Sequence, residues 1–180
     1  MNLPNKLTML RIILIPVFLI FLIGGVCPEP YGRIIALIIF IVASLTDMLD
    51  GKIARARGLI TNFGKFMDPL ADKLLVSAAL IAFVQLNLIP AWVVIAIISR
   101  EFIITGFRLI AVENGIVLAA GWWGKVKTTV QMVMIIVILI WPAGPVYNIL
   151  GRLLILLAII FTAVSGIEYI SKNRGIINDM

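Results

Sequence analysis

The sequence predicts an all-α, polytopic membrane protein with six transmembrane helices, a short N-terminal interfacial segment and both termini in the cytoplasm. Three observations carry this. Of the 180 residues, 62% are hydrophobic and 13% charged, against about 45–50% and about 25% in ordinary soluble domains, and mean hydropathy is +1.16. The apolar residues fall into six runs, each close to the roughly 20 residues that a helix needs to cross a bilayer. The basic residues gather on one side of the resulting topology. Such a composition argues against a soluble enzyme, a disordered chain and a disulfide scaffold.

In chain order, Asn2-Leu3-Pro4-Asn5-Lys6 reads as an interfacial lead-in. Span one, Leu7–Ile23, outruns the apolar core of a signal peptide and lacks a small-residue cleavage site, so it is expected to stay. Gly24-Gly25 and Pro28-Glu29-Pro30 break the chain before span two, Arg33–Ile53. The clean apolar part of that span stops at Leu45, too short to cross, so its helix must continue past Asp47 and Asp50. Span three is expected over Pro69–Leu86, with Pro69 in the first turn and Asp68 able to cap it. Asn87 and Pro90 precede span four, Ala91–Ala111, and Asn114-Gly115 precede span five, Trp122–Trp141. Trp141-Pro142-Ala143-Gly144-Pro145 separates span five from span six, Ile149–Ile170. No soluble domain fits between these spans, so residues 1–180 read as one integral-membrane domain. Trp92, Trp122, Trp123 and Trp141 fall near helix ends, where interfacial anchoring explains them.

With the N-terminus inside, Lys6, Arg11, Lys52, Arg55, Arg57, Lys65, Lys73, Arg100, Arg108, Lys125, Lys127, Lys172 and Arg174 all lie on the cytoplasmic half. Only Arg33 and Arg152 lie outside. The predicted location is the cytoplasmic membrane. The net charge of +6 then concerns orientation and anionic lipid rather than nucleic acid. There is no histidine, which excludes a Ser-His-Asp triad, a histidine zinc site and a histidine proton shuttle. The single cysteine, Cys27, cannot form an intrachain disulfide and argues against redox chemistry and a cysteine-rich metal site.

Four of the nine acidic residues crowd into one stretch: Asp47, Asp50, Asp68 and Asp72. At about 1.5 Å per residue, Asp47 and Asp50 sit roughly 20–24 Å from the outer edge, just inside the cytoplasmic face of the hydrocarbon. Spacings of three and four put each pair on one side of its own helix, and a short loop lets the pairs face each other. Left bare in a low dielectric, such carboxylates repel strongly, so they hold protons or cations. Oxygen ligands without histidine or cysteine suit Mg²⁺ or Mn²⁺, and four carboxylates suffice for two ions. Gly51 and Ala54 leave room for a flat group against span two, while Lys52 and Arg55 could offset phosphate charge. Gly64 could serve the same purpose as Gly51 or simply turn the loop. An Asp50/Arg55 pair alone could equally be an interfacial anchor.

The pattern Asp47-x-x-Asp50-Gly51-x-x-Ala54-Arg55, eight residues, Gly64-x-x-x-Asp68-x-x-x-Asp72 resembles the signature of the CDP-alcohol phosphatidyltransferase family at every fixed position. The similarity extends through Asn5-Lys6-Leu7-Thr8, Arg11-Ile12, Gly64-Lys65-Phe66, Arg100-Glu101-Phe102 and Gly124-Lys125-Val126-Lys127-Thr128. The resemblance implies transfer of a phosphatidyl group from CDP-diacylglycerol to an alcohol, with release of CMP. It implies that Asp47, Asp50, Asp68 and Asp72 hold two divalent ions and that Asp72 is also the general base in a direct attack. It further implies that Asn5, Thr8, Asp47, Asp50, Gly51, Ala54, Arg55 and Gly64 bind the CDP-diacylglycerol, and that the protein is a homodimer.

The acceptor is read from other residues. Arg100 lies about halfway across span four, where a charge should face a cavity or a partner. Glu101 and Arg108 are two turns apart, and Lys125, Thr128 and Gln131 form a polar stripe on span five. With Lys127, these cations read as a basic pocket beside the metals, suited to a phosphate-bearing alcohol because arginine forks onto phosphate. Glycerol 3-phosphate fits, in agreement with the resemblance; inositol phosphate meets the same electrostatic criterion, and phosphatidylglycerol is a further alternative acceptor. The plainer alternative is that Arg100 and Glu101 pair with each other or a neighbouring helix, while Arg108, Lys125 and Lys127 only enforce topology. A small cation carrier is the rival of another class, but carriers tend to hold charges near the midplane of broken helices.

Overall fold

A computed structural model describes the backbone of residues 3–57, 62–113 and 121–173, with side chains except at 3–7, 47–57, 62–69, 72, 109, 112 and 113. All regular structure among the described residues is helical. α1 spans Leu3–Ile23, α2 Tyr31–Arg57, α3 Asn62–Gln85, α4 Ala91–Glu113 and α5 Trp122–Ile140. α6 runs over Gly144–Lys172; it opens with one turn, Gly144–Val146, passes through a π-helical turn, Tyr147–Gly151, and continues as an α-helix over Arg152–Lys172.

Every expected span has its helix, but three starts move. The lead-in is no separate element, since α1 is continuous from Leu3; Pro4 is tolerated in a first turn, whose N–H groups have no intrahelical acceptor. α3 begins at Asn62, seven residues before Pro69, so Asp68 is an interior residue and not a cap. Pro69 costs one rung of the hydrogen-bond ladder without ending the helix. The sixth helix begins at Gly144, because Pro145 suits a first turn and φ of +88° at Gly144 turns the chain out of α5.

The chain divides into two compact units, Met1–Asn87 and Leu88–Met180. In the first, α1 packs along both α2 and α3, which also touch each other. Its core is made by stripes at helical spacing: Thr8, Arg11, Phe18 and Leu22 on α1, Ala36, Phe40 and Ala43 on α2, and Ala71, Leu75, Ala79, Ala82 and Phe83 on α3. Phe18 and Phe40 meet with ring centroids 6.1 Å apart. In the second unit, α6 packs against both α4 and α5. Lys127, Gln131, Met134, Ile135 and Ile138 form the buried stripe of α5, and Leu154, Ala158, Thr162, Ser165 and Tyr169 that of α6.

The opposite faces of these helices are also apolar: Ile13, Ile20, Ile38, Leu45, Ile81, Ile95, Leu156 and Ile167 are all exposed. Apolar residues on outward as well as inward faces accord with association with a membrane. By length and composition, Trp122–Ile140 and Gly144–Lys172 suffice to cross a membrane, and Thr8–Ile23, Tyr31–Thr46 and Lys73–Gln85 are shorter apolar runs. Within its length α4 also carries Arg100, Glu101 and Arg108. The four tryptophans occupy helix termini, and all four are exposed.

Candidate functional site

The helical backbone of α2 runs unbroken through the aspartate motif to Arg57, as the short apolar run required. At about 100° per residue, positions 47, 50, 51 and 54 fall within one sector roughly 100° wide. On α3, positions 64, 68 and 72 fall within a sector about 80° wide. Counted from the last residue of α2, Asp50 lies seven positions back and Asp47 ten. Counted from the first residue of α3, Asp68 lies six positions on and Asp72 ten. At about 1.5 Å per residue the two helices therefore carry their acidic pairs at matched distances, about 10 Å and about 15 Å, from the ends that the four intervening residues join. The side chains of Asn5, Asp47, Asp50, Gly51, Ala54, Arg55, Gly64, Asp68 and Asp72 lie outside the described residues. The donor set these positions supply is oxygen-only, which is the chemistry of a hard divalent cation.

Thr8 and Arg11, one turn apart on α1, are buried. Arg11 is 1% exposed, a placement its reading as a topology marker did not anticipate. A single basic residue near a helix end carries no signal that separates an anchor from a buried group.

The second unit brings two of the other candidates, Arg100 and Lys127, onto Glu101. Its Oε1 accepts a hydrogen bond from Arg100 Nη1 at 2.8 Å and another from Lys127 Nζ at 2.6 Å. Lys127 is 2% exposed, while Arg100 and Glu101 are 17% and 22% exposed. Two glycines border Arg100: a Cβ on Gly166 would sit 3.6 Å from its Cγ, and one on Gly124 3.9 Å from its Nη2, both ordinary van der Waals distances. The Arg108 guanidinium lies 5.4 Å from the centroid of the Tyr169 ring, a cation–π contact. Arg100 Nε, Arg108 Nε, Gln131 Nε2 and the Tyr169 hydroxyl are all buried without a hydrogen-bond partner. Buried donors of this kind call for an acceptor.

Arg100, Glu101 and Lys127 are thus brought together, as the plainer alternative allowed, and Arg108 is seated on α6. Lys125 and Thr128 lie on an exposed face of α5, whereas Gln131 is buried with Lys127. The expected stripe of Lys125, Thr128 and Gln131 therefore divides; the inward one is Lys127, Gln131 and Met134. Tyr169 went unremarked in the sequence, since an aromatic near the end of an apolar helix reads as an interfacial anchor. Glu168, beside it, pairs with Lys172 at 2.6 Å.

Comparison with known proteins adds to this geometry. The sequence model of CDP-alcohol phosphatidyltransferases matches residues 1–164. The chain is 49% identical over 183 residues to the CDP-diacylglycerol–glycerol-3-phosphate 3-phosphatidyltransferase of Bacillus subtilis (strain 168), covering 96% of this chain and 95% of that one. It is 39% identical over 185 residues to the Haemophilus influenzae protein of the same name, covering 99% and 96%. It is also 39% identical over 171 residues to a probable phosphatidylglycerophosphate synthase of Mycobacterium tuberculosis (strain H37Rv), covering 95% and 81%.

Proposed function

The chain belongs to the CDP-alcohol phosphatidyltransferase family, and from that premise we propose that it transfers the phosphatidyl group of CDP-diacylglycerol to glycerol 3-phosphate, giving phosphatidylglycerophosphate and CMP. The observation that carries this reading is 49% identity over nearly the full length of a relative named for that reaction. The cations around Glu101 agree, because a neutral alcohol would not require them.

The acceptor hydroxyl attacks the phosphorus that bears the diacylglycerol, a new P–O bond forms, and the P–O bond to CMP breaks. Asp72 takes the hydroxyl proton on a carboxylate oxygen, and CMP leaves as the anion. Asp47, Asp50, Asp68 and Asp72 would hold two divalent ions, Mg²⁺ or Mn²⁺. When bound, such ions neutralise the charge that develops on a diphosphate. Gly51 and Ala54 leave space on α2 for the cytidine; Asn5, Thr8, Arg55 and Gly64 complete the donor site. Arg100, Arg108 and Lys127 bind the acceptor phosphate, with Arg100 and Arg108 each keeping a buried Nε unpartnered, and Lys125, on the exposed face of α5, adds positive charge without touching it. The topology that accompanies this reading has six crossings of the cytoplasmic membrane, both termini and the site facing the cytoplasm, and two copies of the chain in a homodimer.

The test is CMP release by purified protein supplied with CDP-diacylglycerol, Mg²⁺ and one acceptor at a time. Glycerol 3-phosphate should support turnover, and inositol phosphate and phosphatidylglycerol should not. Turnover with another acceptor alone would reassign the enzyme within its family. CMP released as a stoichiometric burst before any acceptor is added would overturn direct attack.

A further inference from the structure

We propose that Glu101 is a positioning residue for the acceptor: its carboxylate holds Arg100 and Lys127 in the orientation that receives the phosphate, and it sets the charge which that phosphate meets. This rests on the reading above, in which those two cations bind the phosphate of glycerol 3-phosphate. Glu101 stands near the middle of α4, where a charge without compensation is costly. Both of its bonds use one oxygen, Oε1, so a single atom ties α4 to the buried ammonium of α5.

The consequence lies in which edge of Arg100 is left. Glu101 engages Nη1, while Nε stays buried with no partner. The Nε side of a guanidinium offers two near-parallel N–H donors, the fork that fits a phosphate. Gly124 on α5 and Gly166 on α6 border the side chain, and Glu101 keeps it from rotating. Arg108 follows the same plan with a different support, the Tyr169 ring, and its Nε is likewise buried and unpartnered. Arg100 and Lys127 set against Glu101 leave one net positive charge, and Arg108, two turns along α4, supplies a second for a phosphate dianion. Without Glu101, Lys127 loses the carboxylate at 2.6 Å and Arg100 loses the contact that leaves its Nε edge, rather than Nη1, unpartnered.

The experiment is steady-state kinetics of full-length protein in detergent, with CDP-diacylglycerol, Mg²⁺ and glycerol 3-phosphate. Glu101→Gln should raise KM for glycerol 3-phosphate about tenfold or more, the loss of one charge-assisted contact. KM for CDP-diacylglycerol should stay unchanged and kcat should fall less than about threefold. Glu101→Asp, which keeps the charge, should restore part of the loss. Should Glu101→Gln fail to fold, Glu101→Asp carries the test: its shorter carboxylate should raise KM for glycerol 3-phosphate by a smaller factor while KM for CDP-diacylglycerol stays unchanged. Wild-type protein that releases no CMP with glycerol 3-phosphate would refute the activity itself. Wild-type turnover combined with an unchanged or lowered acceptor KM in Glu101→Gln would overturn the positioning role alone. So would an equal rise in both KM values, or a loss of kcat and thermal stability with no KM difference.

Discussion

Asp72 is the single side chain whose loss should matter most. Asp72→Asn removes the proton acceptor while Asp47, Asp50 and Asp68 still supply carboxylates, so turnover should fall about 10²–10⁴-fold with divalent-ion binding retained. Single-turnover CMP release and equilibrium titration with Mn²⁺ check the two halves separately. Arg108→Ala should act on the acceptor instead, raising KM for glycerol 3-phosphate about tenfold or more and leaving KM for CDP-diacylglycerol in place. If KM for the lipid rose instead, Arg108 would belong to the donor site. At this scale the aspartates were legible because their spacing is unusual for an apolar chain. The tie between Glu101 and Lys127 was not, since the 26 positions that separate them carry no periodic signal that two groups will meet.

Among the elements, α6 departs from regular α-helical geometry, through its π turn at Tyr147–Gly151. Its π turn places the Tyr147 ring over Gly151, where an added Cβ would lie 2.8 Å from a ring carbon. The ring cannot swing away freely, because the Tyr147 hydroxyl donates to the carbonyl of Leu88. Gly151→Ala should therefore destabilise the protein by about 1–3 kcal/mol, the usual consequence of overpacking. The same substitution in a Tyr147→Ala background should cost distinctly less, a non-additivity that thermal unfolding in detergent can measure. The element boundaries that the sequence misplaced, at Leu3, Asn62 and Gly144, share a cause. In each a proline was taken as the start of a helix or as part of a break, whereas the helix extends through it or begins just ahead of it. Backbone packing of the flanking turns outweighs one missing N–H.

For the whole molecule, the one-sided distribution of basic residues predicts an orientation, and the lone cysteine offers a test of it. Cys27 is half-buried in the connection between α1 and α2, on the side assigned to the exterior. A membrane-impermeant thiol reagent should label it in right-side-out vesicles and not in sealed inside-out vesicles. The reverse pattern would invert the topology and put the aspartates on the outer face. The exposed apolar surface of both units also predicts that the protein stays soluble only in detergent or lipid.

What the sequence by itself determined was the helical class, the number of helices and the spacing of the carboxylates along two of them. Each is a local property, set by runs of apolar residues and by the 3.6-residue period of the backbone. What only the tertiary structure decided was which polar groups meet across helices: Glu101 with Lys127, and Arg108 with Tyr169. Those pairings depend on how α4, α5 and α6 rotate about their own axes as they pack. That rotation follows from the fit of many side chains at once and leaves no mark on any one stretch of chain.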